Sequence, residues 1–67
     1  MTMYSMASIN NRRAIREALA WGHYSYLEAG AELGYPAEDV VKGLVPLWKV
    51  MALVGATDEQ MYEWGRN

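Results

Sequence analysis

The residues of this chain best suited to chemistry are cations. Arg12, Arg13 and Arg16 fall close together, and guanidinium groups at that density suit phosphate or carboxylate, which they hold through planar pairs of N–H donors. In the first turns of a helix each faces the positive end of the helix dipole, at a cost of roughly 0.3 kcal/mol or more. Two readings account for them there: a solvated face with an Arg13 to Glu17 pair one turn apart, or contact with phosphate or an acidic partner. The carboxylates Glu17, Glu28, Glu32, Glu38 and Asp39 are numerous, but Glu28 and Glu32 fit a helix cap and its solvated neighbour better than a catalytic pair. His23 is the only histidine and there is no cysteine, so neither a metal-ligand set nor a base-and-nucleophile arrangement can be assembled around it. The chain has no glycine-rich phosphate loop, nucleophile elbow, HExxH pair or calcium loop. Its 67 residues leave little room for a closed pocket. Binding without enzyme activity, cofactor or metal is the expectation.

The elements that must position the arginines follow from apolar spacing and cap chemistry. Asn10 or Asn11 can cap a first helix, on which Ala14, Ile15, Ala18, Leu19 and Gly22 share one broad arc, and which should end near Gly22. His23, Tyr24 and Ser25 form a link, in which Tyr24 has the propensity for a short strand. Ser25 and Glu28 then make a capping box, so a second helix begins near Tyr26 and turns Tyr26, Ala29, Gly30 and Leu33 inward. Gly34 supplies a left-handed stop, and Pro36 opens a third helix with Val40, Leu44 and Leu47 on its core face.

The run S25-Y26-L27-E28-A29-G30-A31-E32-L33-G34-Y35-P36, followed by Val40, Leu44 and Leu47, resembles the helix-turn-helix of winged-helix proteins. In that family a small residue precedes a Leu-Gly pair by three, and a short turn leads to an apolar triplet on the recognition helix; here Gly30 takes the small position. The resemblance covers residues 12 to 64. It implies an α+β, mainly α fold of three helices with a C-terminal two-stranded wing, and a domain spanning 11–67 behind a tail over 1–10 that carries no convincing period. Val50 to Val54 and Gln60 to Trp64 read as the two strands of the wing, separated by turn residues Gly55, Thr57 and Asp58. Met61, Tyr62 and Trp64 should complete the core.

The resemblance also implies a small DNA-binding transcription regulator. Contacts to double-stranded DNA would come from Ser25 and Tyr26, from Ala37, Glu38, Val41, Lys42 and Lys49 on the recognition helix, and from the wing tip, with Arg12, Arg13 and Arg16 supplying charge. One module of this size buries little interface, which leaves a homodimer open. Composition pulls the other way. The net charge is −2, the recognition helix starts with Glu38 and Asp39, and the wing tip is acidic, whereas strong nucleic-acid binders carry a basic excess. Pro46 cannot donate to the carbonyl of Lys42, so a kink or early stop is expected near Val45. Val45 and Pro46 would then form an exposed apolar edge, which favours the alternative of a protein-interaction module acting as adaptor or inhibitor.

Size sets the remaining bounds. A domain this small buries about 60% of the surface of its unfolded chain, so its stability is a few kcal/mol. The composition is 52% hydrophobic, too apolar for a disordered chain. No stretch has the length of a signal peptide's apolar core or of a membrane span, so a cytoplasmic protein without membrane contact is expected.

Overall fold

The computed structural model describes residues 9–66 as five helices: α1 Asn11–Trp21, α2 Tyr26–Leu33, α3 Ala37–Val41, α4 Leu47–Val54 and α5 Asp58–Gly65. Residues 1–8 of the expected tail lie outside the described part. No helix among the described residues is long and apolar enough to cross a membrane.

The first two helices start and stop where their caps dictate. Asn10 accepts through Oδ1 from the Arg13 N–H at 3.0 Å, and α1 buries Ala14, Ile15, Ala18 and Leu19 before ending at Gly22. Ser25 Oγ accepts from the Glu28 N–H and Glu28 Oε1 accepts from the Ser25 N–H, both at 3.0 Å, completing the expected box. Ala29 and Gly30 are buried on α2, and Gly34 closes it at φ 80°. A Cβ on Gly30 would run into the carbonyl oxygen of Tyr35, so the turn can fold tightly over α2 only at a residue without one. Tyr24 forms no strand. Instead His23 takes φ 62°, and the Tyr24 N–H folds back to the Leu19 carbonyl at 2.8 Å.

The C-terminal half corrects the winged-helix expectation. Among the described residues there is no wing and no sheet; the sole β feature is an isolated antiparallel bridge between Ile9 and Arg66. The fold is all-helical rather than α+β. The segment read as the first strand is α4, and its inward residues Leu47, Val50, Met51 and Val54 recur three and four apart, the spacing of one helical face. Gly55 ends α4 in the left-handed region at φ 76°, and Thr57 and Gln60 form a second capping box that starts α5. The residues taken for a hairpin turn are thus one helix's stop and the next one's start. Short apolar runs do not distinguish strand from helix by themselves; here the three-and-four spacing against the core marks a helix, and Gly55 and the Thr57 box mark where one helix stops and the next starts.

The expected recognition helix is also broken. It ends at Val41, with Gly43 at φ 76°, and Pro46 stands as the N-cap of α4 rather than as a kink within a longer helix. Leu44, expected on the core stripe, is 64% exposed, while Val45, expected on an outer edge, is buried. The extra turn residue at Gly43 shifts the register by which side chains meet the core.

The buried cluster comprises Ile9, Ala14, Ile15, Ala18, Leu19, Ala29, Val40, Val45, Val50 and Met61, so every helix contributes to one core. Helix α1 is its axis. It packs most extensively against α5, then against α4, while α2 pairs with α3. The Asn10 N–H donates to the Gly65 carbonyl at 2.7 Å, closing the two ends of the described chain against each other.

Candidate functional site

The arginines converge on one hollow. Asn10, Arg12, Arg13, Arg16, Tyr26 and Val41 line a space of about 230 Å³ on the surface where α1 meets the start of α2 and the end of α3. Local structure holds one cation by its guanidinium and another by its stem. Gly43 lies so close to Arg12 that an added Cβ would stand 2.9 Å from its backbone nitrogen and 2.8 Å from its Cγ, and this contact holds the stem of Arg12 against the α3–α4 turn. Arg13 donates from Nη1 to the Arg66 carbonyl at 3.1 Å, which ties it to the end of α5. The expected Arg13–Glu17 pair does not form. Glu17 lies instead 3.9 Å from Arg16, with both side chains about half exposed or more, so the pairing is worth little in water. Among the described residues no ion pair neutralises Arg12 or Arg13.

Five of the residues named for DNA contact therefore share a site: Arg12, Arg13, Arg16, Tyr26 and Val41. The others do not join it. Ser25 is spent on the α2 cap. Ala37, Glu38 and Lys42 lie on or just after α3 but outside this lining, and α3 reaches the hollow with its last residue, Val41, while the acids Glu38 and Asp39 occupy its first turn. Lys49 belongs to α4. Its Nζ donates to Tyr35 Oη at 3.1 Å and sits 5.0 Å from the centre of the Tyr35 ring and 5.6 Å from that of Trp48. Lys42 and Lys49 thus do not lie on one helix face. The alternative protein-binding edge also fails at Val45, whose side chain is 1% exposed; an acid there would be buried without a partner. Pro46 remains exposed.

A second hollow of about 270 Å³ adjoins the first, lined by Arg16, Leu19, Ala20, Tyr24, Ser25 and Tyr26. Arg16 and Tyr26 wall both. Sequence reasoning missed Tyr24 as a site residue because the propensity of its ring suggested a strand; the usable signal was His23, since histidine tolerates the left-handed conformation better than most side chains with a Cβ. Beside these walls, the carboxyl of Glu28 is held below its ordinary range, chiefly because it accepts the backbone N–H of Ser25 and, further, because it interacts with the Ser25 side chain. Among the described residues no group of three or more His, Asp or Glu side chains gathers to hold a metal ion.

Comparisons with protein-family models, curated proteins and solved structures returned no match.

Proposed function

We propose that this chain is a small cytoplasmic DNA-binding regulator, without enzyme activity, that grips phosphate through Arg12, Arg13 and Arg16. The observation that supports this reading is their convergence with Tyr26 on one hollow, with the Arg13 guanidinium held by the Arg66 carbonyl and neither Arg12 nor Arg13 neutralised by an ion pair among the described residues. An anchored guanidinium such as that of Arg13 loses less freedom on binding an anion than a free one does. The acids that argue against DNA at the start of α3 stand away from this lining. Because α3 has only five residues, it lacks the length of a groove-reading helix, so the contact is to the backbone and carries little sequence information.

Titration of random-sequence duplex at several salt concentrations tests it. Removing one arginine that neutralises a phosphate should flatten the log–log salt slope by about 0.9, so Arg12→Ala/Arg16→Ala should bind weakly with a slope shallower by about 1.8. Identical curves for the double variant and the parent chain would end the proposal.

A second reading, docking of a partner protein, draws on Leu44 and Trp48, which are 64% and 66% exposed. Tryptophan in particular supplies interface anchors. If it holds, Trp48→Ser should abolish capture of the partner and leave duplex binding unchanged.

A further inference from the structure

We propose that the paired hollows take single-stranded nucleic acid in preference to duplex, one phosphate lying among Arg12, Arg13 and Arg16 and the adjoining unpaired base lying in the second hollow beside Tyr24 and Tyr26. This rests on the nucleic-acid reading above and specifies its ligand. The two spaces share Arg16 and Tyr26 as common walls, and their chemistry changes from cationic to apolar and aromatic across that shared wall. A nucleotide unit has the same succession: an anion and, beside it, a flat ring with an apolar face. In a duplex that ring is stacked between its neighbours and cannot enter a pocket without being unpaired, whereas in a single strand it is free to stack on an aromatic side chain.

Three details support the assignment. Tyr24 is placed by strained backbone: His23 holds φ 62°, and a non-glycine residue in that region persists only where the surroundings impose it. The result puts Tyr24 on the lining of the same hollow as Tyr26, Leu19 and Ala20. Two tyrosines on the walls suit a planar heterocycle, and Arg16 between the spaces can pair with the phosphate while lying along the base. Charge complementarity selects a polyanion as occupant, since the chain carries −2 overall and yet brings three arginines to this one edge; the apolar, aromatic neighbouring hollow is what favours the unpaired strand. The duplex-reading alternative has no comparable support, because the short α3 starts with Glu38 and Asp39.

The experiment is fluorescence anisotropy with labelled oligothymidine and with a labelled duplex of equal length, at one salt concentration, using the full chain. The single strand should bind at least about tenfold tighter. Tyr24→Leu should collapse that ratio by about tenfold, and Tyr24→Phe, which keeps the ring, should restore it; circular dichroism on each variant reports whether it is folded. Arg12→Ala/Arg16→Ala should weaken both ligands. Equal or tighter duplex binding, or an unchanged ratio in folded Tyr24→Leu, overturns the single-strand assignment and leaves the phosphate grip standing. Failure of the parent chain to bind either ligand overturns both, and capture of an acidic, leucine-bearing peptide in its place would turn the groove over to a protein partner.

Discussion

Helices α2 and α5 are built from the same local instructions and differ in what surrounds them. Each has eight residues, a hydroxyl cap and a reciprocal bond from the residue three positions on: Ser25 with Glu28 in one, Thr57 with Gln60 in the other. Yet α2 lies partly open, with Leu27 72% exposed and Leu33 only half-buried, while α5 inserts Met61 fully into the core against α1. The same start signal thus opens an element that walls two surface hollows and an element that closes the fold. Local chemistry fixes where a helix begins; burial against the rest of the chain fixes how much it stabilises.

The largest expected effect separates the two at their packed residues. Met61→Ala should cost about 2–5 kcal/mol, as truncations in cores do, enough to unfold so small a domain. Leu33→Ala, at a half-buried site, should cost less than Met61→Ala and leave a folded chain with a lowered Tm. Thermal melts followed by circular dichroism give the order. A reversed order would mean that α2, not α5, closes the core.

The intermediate effect lies at the caps themselves. Ser25→Ala and Thr57→Ala should each cost about 1 kcal/mol, which in a domain of this size lowers Tm by about 4–8 °C. Equal losses would establish the two boxes as equivalent. A neutral Thr57→Ala would mean that α5 is held by its packing against α1 and that its box adds little.

That hairpin reading shows where the sequence was legible. For α1 and α2 the cap, the apolar arc and the glycine stop stood in order along the chain, so the helices, their inward Ala14, Ile15, Ala18, Leu19 and Ala29, and the left-handed Gly34 could all be read directly. The same grammar was written at Gly55, Thr57 and Gln60, but glycine, threonine and aspartate together also spell a turn between strands, and each flanking apolar run was short enough to fit either period. Nothing local separated the two; the separation came from the three-and-four spacing of Leu47, Val50 and Val54 against α1. At the site, the arginine cluster was legible from residue type alone. Its convergence with Tyr26 and Val41 depends on how α2 and α3 fold over α1, and the part played by Tyr24 depends on the backbone at His23.

The smallest expected effect is also the one that distinguishes the boxes chemically, since one closes on a carboxylate and the other on an amide. Glu28 is held below its ordinary value of 4.5 by the Ser25 N–H, followed by the Ser25 side chain, because an ionised carboxylate accepts these bonds better than a protonated one and also faces the positive end of the α2 dipole. A group whose folded value is depressed contributes stability above its unfolded value and loses it as pH falls through the folded one. Protonation of Glu28 should therefore weaken the Ser25 box as the solution is acidified below about pH 4.5, while the two bonds of the Thr57–Gln60 box, made by a hydroxyl and an amide, contain nothing that titrates over the same range. Hydrogen exchange at the amides of Ser25 and Thr57, measured from neutral pH down to acid, reads each box separately. Protection at Ser25 should fall with pH relative to Thr57 after correction for the intrinsic exchange rate, and Glu28→Gln should remove the difference. Protection that falls in parallel at both amides would mean that acid loosens the whole domain at once, and that the carboxylate in the first box adds nothing to what the amide supplies in the second.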